Sequence, residues 1–243
     1  MPTTEKKISL LRSKFSNALL RPDLGAIVGV VLVFLFFFLV ARDTGMFSLE
    51  GSMNWGIVSS QFIIIAVGAC LLMIAGEFDL SVGSMIGFAG IIIAVTSVVW
   101  GWPVWLSIIA AFIVSMAIGG LIGYITVKTN LPSFIVSLAF LYILRGMTIF
   151  IAIISTKKTI IGGVTEAAQN DWLAPFFGGK IFTGAFDWLA EHGIIQTFVA
   201  GTKAGQPVVS GIPMMMVWAI GLIIFAHLLL TKTRFGNWIY ASG

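Results

Sequence analysis

Gly76-Glu77-Phe78-Asp79-Leu80-Ser81-Val82-Gly83-Ser84 stands between two long apolar runs, 57–75 and 85–99. Two carboxylates beside membrane-length apolar sequence are costly unless protein, water or an interface lines the site. The same stretch carries helix-break chemistry. Gly76 can end one helix, and Asp79 or Ser81 can cap the next, with Val82 onward as its first turn. The reading is two membrane helices meeting at a short polar break. Such breaks are tolerated only where protein buries them or they line a cavity. Transporters use them at substrate sites and gates.

Working outward, the composition agrees. Of 243 residues, 58% are hydrophobic and 10% are charged, and the mean hydropathy is +1.05. Soluble domains average about 25% charged residues. The expected fold is therefore all-α: a polytopic integral membrane bundle. The net charge of +4 does not indicate nucleic acid, because no Lys/Arg run is interleaved with aromatics. Cys70 is the only cysteine, so neither a disulfide framework nor a cysteine-based metal site can form within the chain. His192 and His227 lie far apart without ligand spacing, and His227 is expected to be packed and hydrogen-bonded.

Six runs approach or reach the roughly 20 residues that span a bilayer: 24–41, 57–75, 82–99, 104–126, 133–154 and 211–230. The N-terminal tail, 1–23, holds Lys6, Lys7, Arg12, Lys14 and Arg21, which places it in the cytoplasm by the positive-inside rule. No small-x-small cleavage site lies near Ala41, so the first run reads as a retained anchor. Alternation puts Lys128, Lys232 and Arg234 inside, and it puts Arg42 and the 155–210 segment outside. Lys157, Lys158, Lys180 and Lys203 oppose the rule, diluted in a long loop. Trp100, Trp102 and Trp105 suit one interface and Trp238 the other. Five spans thus occupy 24–154, the sixth 211–230, and 231–243 begins a cytoplasmic segment. The 155–210 stretch is too long for a simple turn. It could form one or two short helices, as a cover for helix ends or as a docking element. Ala111, Ser115, Gly119 and Gly123 lie on one helix face, as do Gly83 and Gly87. Small residues so spaced let membrane helices approach closely.

The residues that can carry chemistry are few. Asp79 and Glu77 are either cap and boundary groups or lining groups of a pathway. Ser81 belongs to the same break. Arg145 lies twelve residues after Ser133, roughly 18 Å along its helix at 1.5 Å per residue. That is near the middle of a core about 30 Å thick, where an arginine must face the bundle interior or water. It serves either as a structural bridge, which its rigid fork favours, or as a pathway residue, with Asp79 the best intramembrane partner. No metalloprotease, nucleophile-elbow or phosphate-binding motif occurs. An intramembrane enzyme is poorly supported, and any ATP-driven function needs a separate subunit.

The segment 76–84 resembles the Gly-Gly-Ile-Asp-Leu-Ser-Val-Gly-Ser signature of sugar ABC importer permeases of the ribose, xylose, fructose and galactose type. Two further segments match in order. Asn130-Leu131-Pro132-Ser133-Phe134-Ile135-Val136-Ser137-Leu138, followed by Arg145-Gly146, is similar to the family's Pro-x-Phe-Ile-x-Thr-Leu…Arg-Gly stretch. Phe235-Gly236-Asn237-Trp238-Ile239-Tyr240-Ala241-Ser242-Gly243 is similar to the opening of its cytoplasmic coupling segment. Glu77 and Phe78 depart from the usual glycine and isoleucine. The resemblance implies a permease subunit of the bacterial inner membrane that moves a monosaccharide. It implies a cytoplasmic ABC ATPase that holds ATP, a periplasmic sugar-binding protein, and a second permease subunit, typically as a homodimer. This chain itself then needs no cofactor. Phe235, Gly236, Tyr240, Ala241 and Gly243 are the coupling candidates. Family members continue beyond the residue matching Gly243, so the chain is expected to correspond to the N-terminal part and not to support uptake alone. The related branched-chain amino-acid permeases and an ATPase-independent channel or carrier are the alternatives.

Overall fold

The computed structural model describes residues 22–169, 171–199 and 204–243. The basic residues Lys6, Lys7, Arg12, Lys14, Arg21 and Lys203 lie outside that range. The chain divides into two compact units, 1–54 and 55–243.

The first unit holds α1 (Pro22–Ala41) and a 3-10 turn (Arg42–Thr44). It also contains the first turn of α2 (Leu49–Ile74). α1 is apolar around its whole circumference, as a lipid-facing helix must be. Ser48 caps α2: its hydroxyl accepts the Gly51 N–H at 3.1 Å and donates to the Gly45 carbonyl at 2.6 Å. This cap starts α2 eight residues before the apolar run at 57. Ser52, Asn54 and Gly56 dilute the run without breaking the helix.

In the second unit, α3 (Val82–Ala94) continues as a π-helical turn (Val95–Val99), followed by α4 (Val104–Thr129) and α5 (Ser133–Thr156). Farther on come α9 (Met214–Lys232) and α10 (Arg234–Ser242). Among the described residues, six helices are long and apolar enough to cross a membrane: Leu24–Thr44, Leu49–Ile74, Val82–Val99, Val104–Thr129, Ser133–Thr156 and Met214–Lys232. The all-α polytopic bundle expected from the sequence is what forms.

α3 is the most enclosed span, packed against both α4 and α5. Phe88, Ile91 and Val95 meet Leu144 and Ala152 of α5 in a buried cluster, flanked by Val114 and Ile118 of α4. At the end of α3 the Thr96 and Ser97 hydroxyls donate to the Ile92 and Ile93 carbonyls at 2.7 and 2.6 Å. They satisfy backbone acceptors where the ladder widens.

Between α5 and α9 the described residues form three short helices, α6 (Val164–Gln169), α7 (Ala174–Gly178) and α8 (Thr183–Glu191). A two-residue ribbon pairs β1 (Lys180–Ile181) with β2 (Ile212–Pro213), antiparallel. The segment is fastened to the spans at defined points. Asp171 accepts the Trp105 N–H at 2.9 Å at the start of α4, and the Leu173 N–H at 3.0 Å. Trp218 of α9 donates its indole N–H to the Phe176 carbonyl at 2.9 Å and stacks edge-on to the Phe176 ring at 5.0 Å. These contacts make the segment a packed cover on helix ends.

Partial burial pulls the Asp171 carboxyl upward. The backbone N–H groups of Trp105, Leu173, Val104 and Ala174 outweigh that and hold its pKa below the ordinary carboxylate value. A carboxylate with a depressed folded pKa contributes stability above its unfolded pKa and loses it as pH falls through the folded one. Hydrogen exchange should therefore show the Trp105 and Leu173 amides protected at neutral pH and released on acidification below the carboxylate range. Asp171→Ala should release them at every pH. Amides that stay protected in that variant would show that the fastening lies elsewhere.

Candidate functional site: the break at 76–81 and the cleft beside Arg145

The break begins where α2 ends. Gly76 adopts φ +80, the left-handed region that glycine enters without a Cβ penalty. The Gly76 N–H bonds to the Met73 carbonyl at 3.0 Å, and the Glu77 N–H bonds to the Leu72 carbonyl at 3.1 Å. This paired pattern is the Schellman motif, which satisfies the last carbonyls of a helix. Ahead of α3, the Asp79 Oδ1 accepts the Ser81 N–H at 2.7 Å and the Ser81 hydroxyl at 2.6 Å. Asp79 therefore supplies the side-chain acceptor that closes the turn into the helix. Ser81 is fully buried and occupies the N-cap position, but its own hydroxyl makes no cap bond and donates to Asp79.

Between these two turns, the extended residues bond to α5. The Phe78 N–H donates to the Ser133 hydroxyl, and the Leu80 N–H donates to the Ser137 hydroxyl, both at 3.0 Å. The Ser137 proton can return to the Phe78 carbonyl at 3.4 Å or stay on its own helix at the Phe134 carbonyl, 3.3 Å. Ser133 and Ser137 are four residues apart and so lie on one helix face. Pro132, at φ −55, ψ 134, turns the chain into α5 and orients that face toward the break. Neither serine was singled out from the sequence as a site residue. The signal present was a serine pair at helical spacing directly after a helix-initiating proline.

Glu77 is exposed and has no side-chain bond among the described residues. It lines a pocket of about 170 Å³ with Phe78, Asp79, Gly119, Gly123 and Ser133. A Cβ at Gly119 or Gly123 would meet nothing within 4 Å. This part of the small-residue face of α4 thus opens on the break, whereas Ala111 on the same face is buried.

Arg145 does not reach Asp79. The break sits at the first turn of α5, and Arg145 lies about three turns further along at 3.6 residues per turn. The Asp79 carboxylate is engaged by Ser81 instead. Arg145 is exposed, and among the described residues it has neither an ion pair nor a hydrogen bond. It lines an open cleft of about 420 Å³ between α3 and α5, with Gly83, Ser84, Gly87, Leu141, Thr148 and Ile149. His227 is also exposed on α9, where a packed, hydrogen-bonded histidine was expected.

The coupling candidates form α10. Thr233 caps it, accepting the Gly236 N–H at 3.2 Å. A Cβ at Gly236 would overlap the Leu229 and Leu230 carbonyl oxygens, so the sharp corner from α9 requires glycine there. Phe235 and Tyr240 are exposed while Ile239 is buried. Ala241 is also exposed. Gly243 abuts the turn that ends α2: a Cβ on it would overlap the Ile74 carbonyl oxygen, and its Cα lies 3.4 Å from the position of a Cβ on Gly76.

Ser137 is fully buried, so Ser137→Ala leaves the Leu80 N–H facing a methyl group in place of its acceptor, which costs about 1–3 kcal/mol. Ser133 is only half-buried, so Ser133→Ala should cost less because water can replace the lost acceptor. Unfolding midpoints in mixed detergent micelles measure both. Equal losses would mean that the two bonds are not ranked by burial.

A family described as "Branched-chain amino acid transport system / permease component" matches residues 52–243. The chain is similar to the xylose transport system permease protein XylH of Escherichia coli K12, 26% identical over 241 residues, which is 89% of this chain and 61% of the relative. It is similar to the Haemophilus influenzae protein of the same name, 28% identical over 237 residues, covering 88% of this chain and 63% of that one. The ribose import permease protein RbsC of Escherichia coli K12 is 29% identical over 183 residues, 74% of this chain and 46% of that one. The chain spans about three fifths of the length of the xylose relatives it matches. No solved structure matches it. With about four fifths of its length under one family description and a capped, clamped break between its spans, this multi-pass membrane chain belongs to the transport-system permease family.

Proposed function

We propose that the chain forms the membrane path of an ATP-driven monosaccharide importer. The observation that carries this reading is the agreement between the xylose and ribose relatives and the polar break. In the break, the Glu77 N–H bonds back to α2, the Phe78 and Leu80 N–H groups bond to Ser133 and Ser137, and the Ser81 N–H bonds to Asp79. Polar breaks buried in protein are where transporters place substrate sites and gates. In this reading Asp79 and Ser81 hold the break, while Glu77 and Arg145 face the route. Phe235, Gly236, Tyr240, Ala241 and Gly243 present α10 to a cytoplasmic ABC ATPase, which carries the ATP and performs its hydrolysis. A periplasmic binding protein delivers the sugar, and a second permease subunit, a further copy of the same kind of chain, completes the path. The protein resides in the bacterial inner membrane with its N-terminus in the cytoplasm and 155–210 on the periplasmic side.

The family description names branched-chain amino acids, so a leucine-type substrate is the second reading. Expression with the ATPase and binding protein of its own system, in cells lacking their own sugar uptake, separates the two. ATP-dependent accumulation of labelled xylose or ribose, without leucine, is expected. Leucine accumulation selects the second reading, and uptake that persists without the ATPase overturns both. A periplasmic-type reporter joined after Gly178 should be active and a cytoplasmic-type reporter silent; the reverse pattern would invert the topology.

A further inference from the structure

The break touches α10 as well as α5. In a continuing helix the Phe78 N–H would return to the Ile74 carbonyl, four residues back. Here that N–H is committed to the Ser133 hydroxyl at 3.0 Å. The Gly76 and Glu77 N–H groups go to the Met73 and Leu72 carbonyls. The Ile74 oxygen is thus left without its ladder donor, and Gly243, directly after α10, packs on it. A Cβ on Gly243 would overlap that oxygen and stand 3.0 Å from both the Ala75 carbonyl carbon and the Gly76 nitrogen. All three obstacles are backbone atoms, so no side chain can rotate aside to make room. Only glycine permits this approach, in which a Cα–H group faces a carbonyl.

α10 is held at both ends. At its start, Gly236 is pressed against the Leu229 and Leu230 carbonyls and Thr233 caps the first turn. At its far end it meets the turn at 74–76. Between these supports Ile239 is buried, while Phe235, Trp238 and Tyr240 stand out on the other side. A load on that outer side is therefore borne by the corner with α9 and by the break. The break has little slack to absorb it. Phe78 and Leu80 are tied to Ser133 and Ser137 of α5 at 3.0 Å. Asp79 holds the Ser81 N–H and hydroxyl, at the start of α3, at 2.7 and 2.6 Å.

We infer that Gly243 is a positioning residue: it seats α10 on the turn at 74–76, so that displacement of α10 moves the break and, with it, the first turns of α3 and α5. The break then serves as a transmission joint, with Gly76 and Gly243 as its facing surfaces. Coupling of this kind travels through a contiguous chain of packed and bonded groups. Gly243, the turn at 74–76, the extended residues 77–80 and the serines of α5 form such a chain. What displaces α10 rests on the importer reading, in which an ATPase bears on that helix. The mechanical link between α10 and the break does not.

Amide hydrogen exchange in lipid nanodiscs tests the link, first without any ATPase. Gly243→Val should speed exchange of the Phe78 and Leu80 amides several-fold. The Trp105 and Leu173 amides, held by Asp171, should keep their wild-type rates. Phe235→Ala, on the outer side of α10, should leave all four unchanged. In the second arm the ATPase of the same system is bound. ATP should then alter exchange at Phe78 and Leu80 in the wild-type protein and not in Gly243→Val. Wild-type rates at Phe78 and Leu80 in Gly243→Val overturn the inference, because the break then does not depend on α10. Acceleration of all four amides overturns it too, since Gly243 would then be a general determinant of the fold, as does acceleration by Phe235→Ala. An ATP response that survives Gly243→Val also overturns it. A wild type that ignores ATP while the first arm holds tells against the importer reading alone, as does the absence of ATP-dependent sugar uptake.

Discussion

Backbone hydrogen bonding at the break is the constraint on which the rest of this structure depends. Residues 76–81 leave the helical path between two apolar spans, with Ser81 fully buried beneath them. Each unpartnered N–H or carbonyl there costs several kcal/mol. The chain meets the demand from three directions: a Schellman turn at Gly76, a carboxylate acceptor from Asp79, and two serine hydroxyls from α5. Because the last of these belongs to another span, the break and the start of α5 are held as one object. That junction sets the register in which α3 lies along α5, and hence which α3 residues face Arg145.

The same economy recurs at the other end of α3. The π-turn at 95–99 is satisfied by Thr96 and Ser97. Asp171 then joins the following helix to the segment between α5 and α9. α3 is therefore pinned at both ends and packed on two sides. The open cleft lies along its remaining face, beside glycines that contribute no side chain. Gly243 at the end of α10 abuts the turn at Gly76, so the corner formed by α9 and α10 rests against the same junction.

Much of the fold was legible because membrane helices announce themselves through length and polarity alone. The apolar runs, the glycine that stops α2, the proline that starts α5 and the aspartate that closes the turn into α3 each act within one or two turns of themselves. The start of α2 was placed late because Ser52, Asn54 and Gly56 dilute hydropathy without opposing helix formation, and because the Ser48 cap is a local hydrogen bond that hydropathy does not register. Asp79 and Arg145 were natural partners by charge, and depth along α5 separates them. Ser133, Ser137 and Asp171 were passed over as site residues because each acts on backbone more than 50 residues away in sequence. A hydroxyl or carboxylate carries no local mark of such a distant partner.

The sequence by itself determined the all-helical membrane class, the number of spans, the position of the break and the kinship with transport permeases. The first three follow from periodicity, composition and short-range backbone chemistry, and the kinship from the resemblance of three ordered motifs. Tertiary structure alone decided which serines close the break, that Asp79 serves Ser81 and not Arg145, and that the glycines of α3 and α4 border open clefts. Those outcomes depend on which helix faces lie side by side. In a chain where most faces are apolar, the hydropathy pattern does not distinguish one face from another. The choice falls to a few long-range hydrogen bonds that a buried backbone cannot do without.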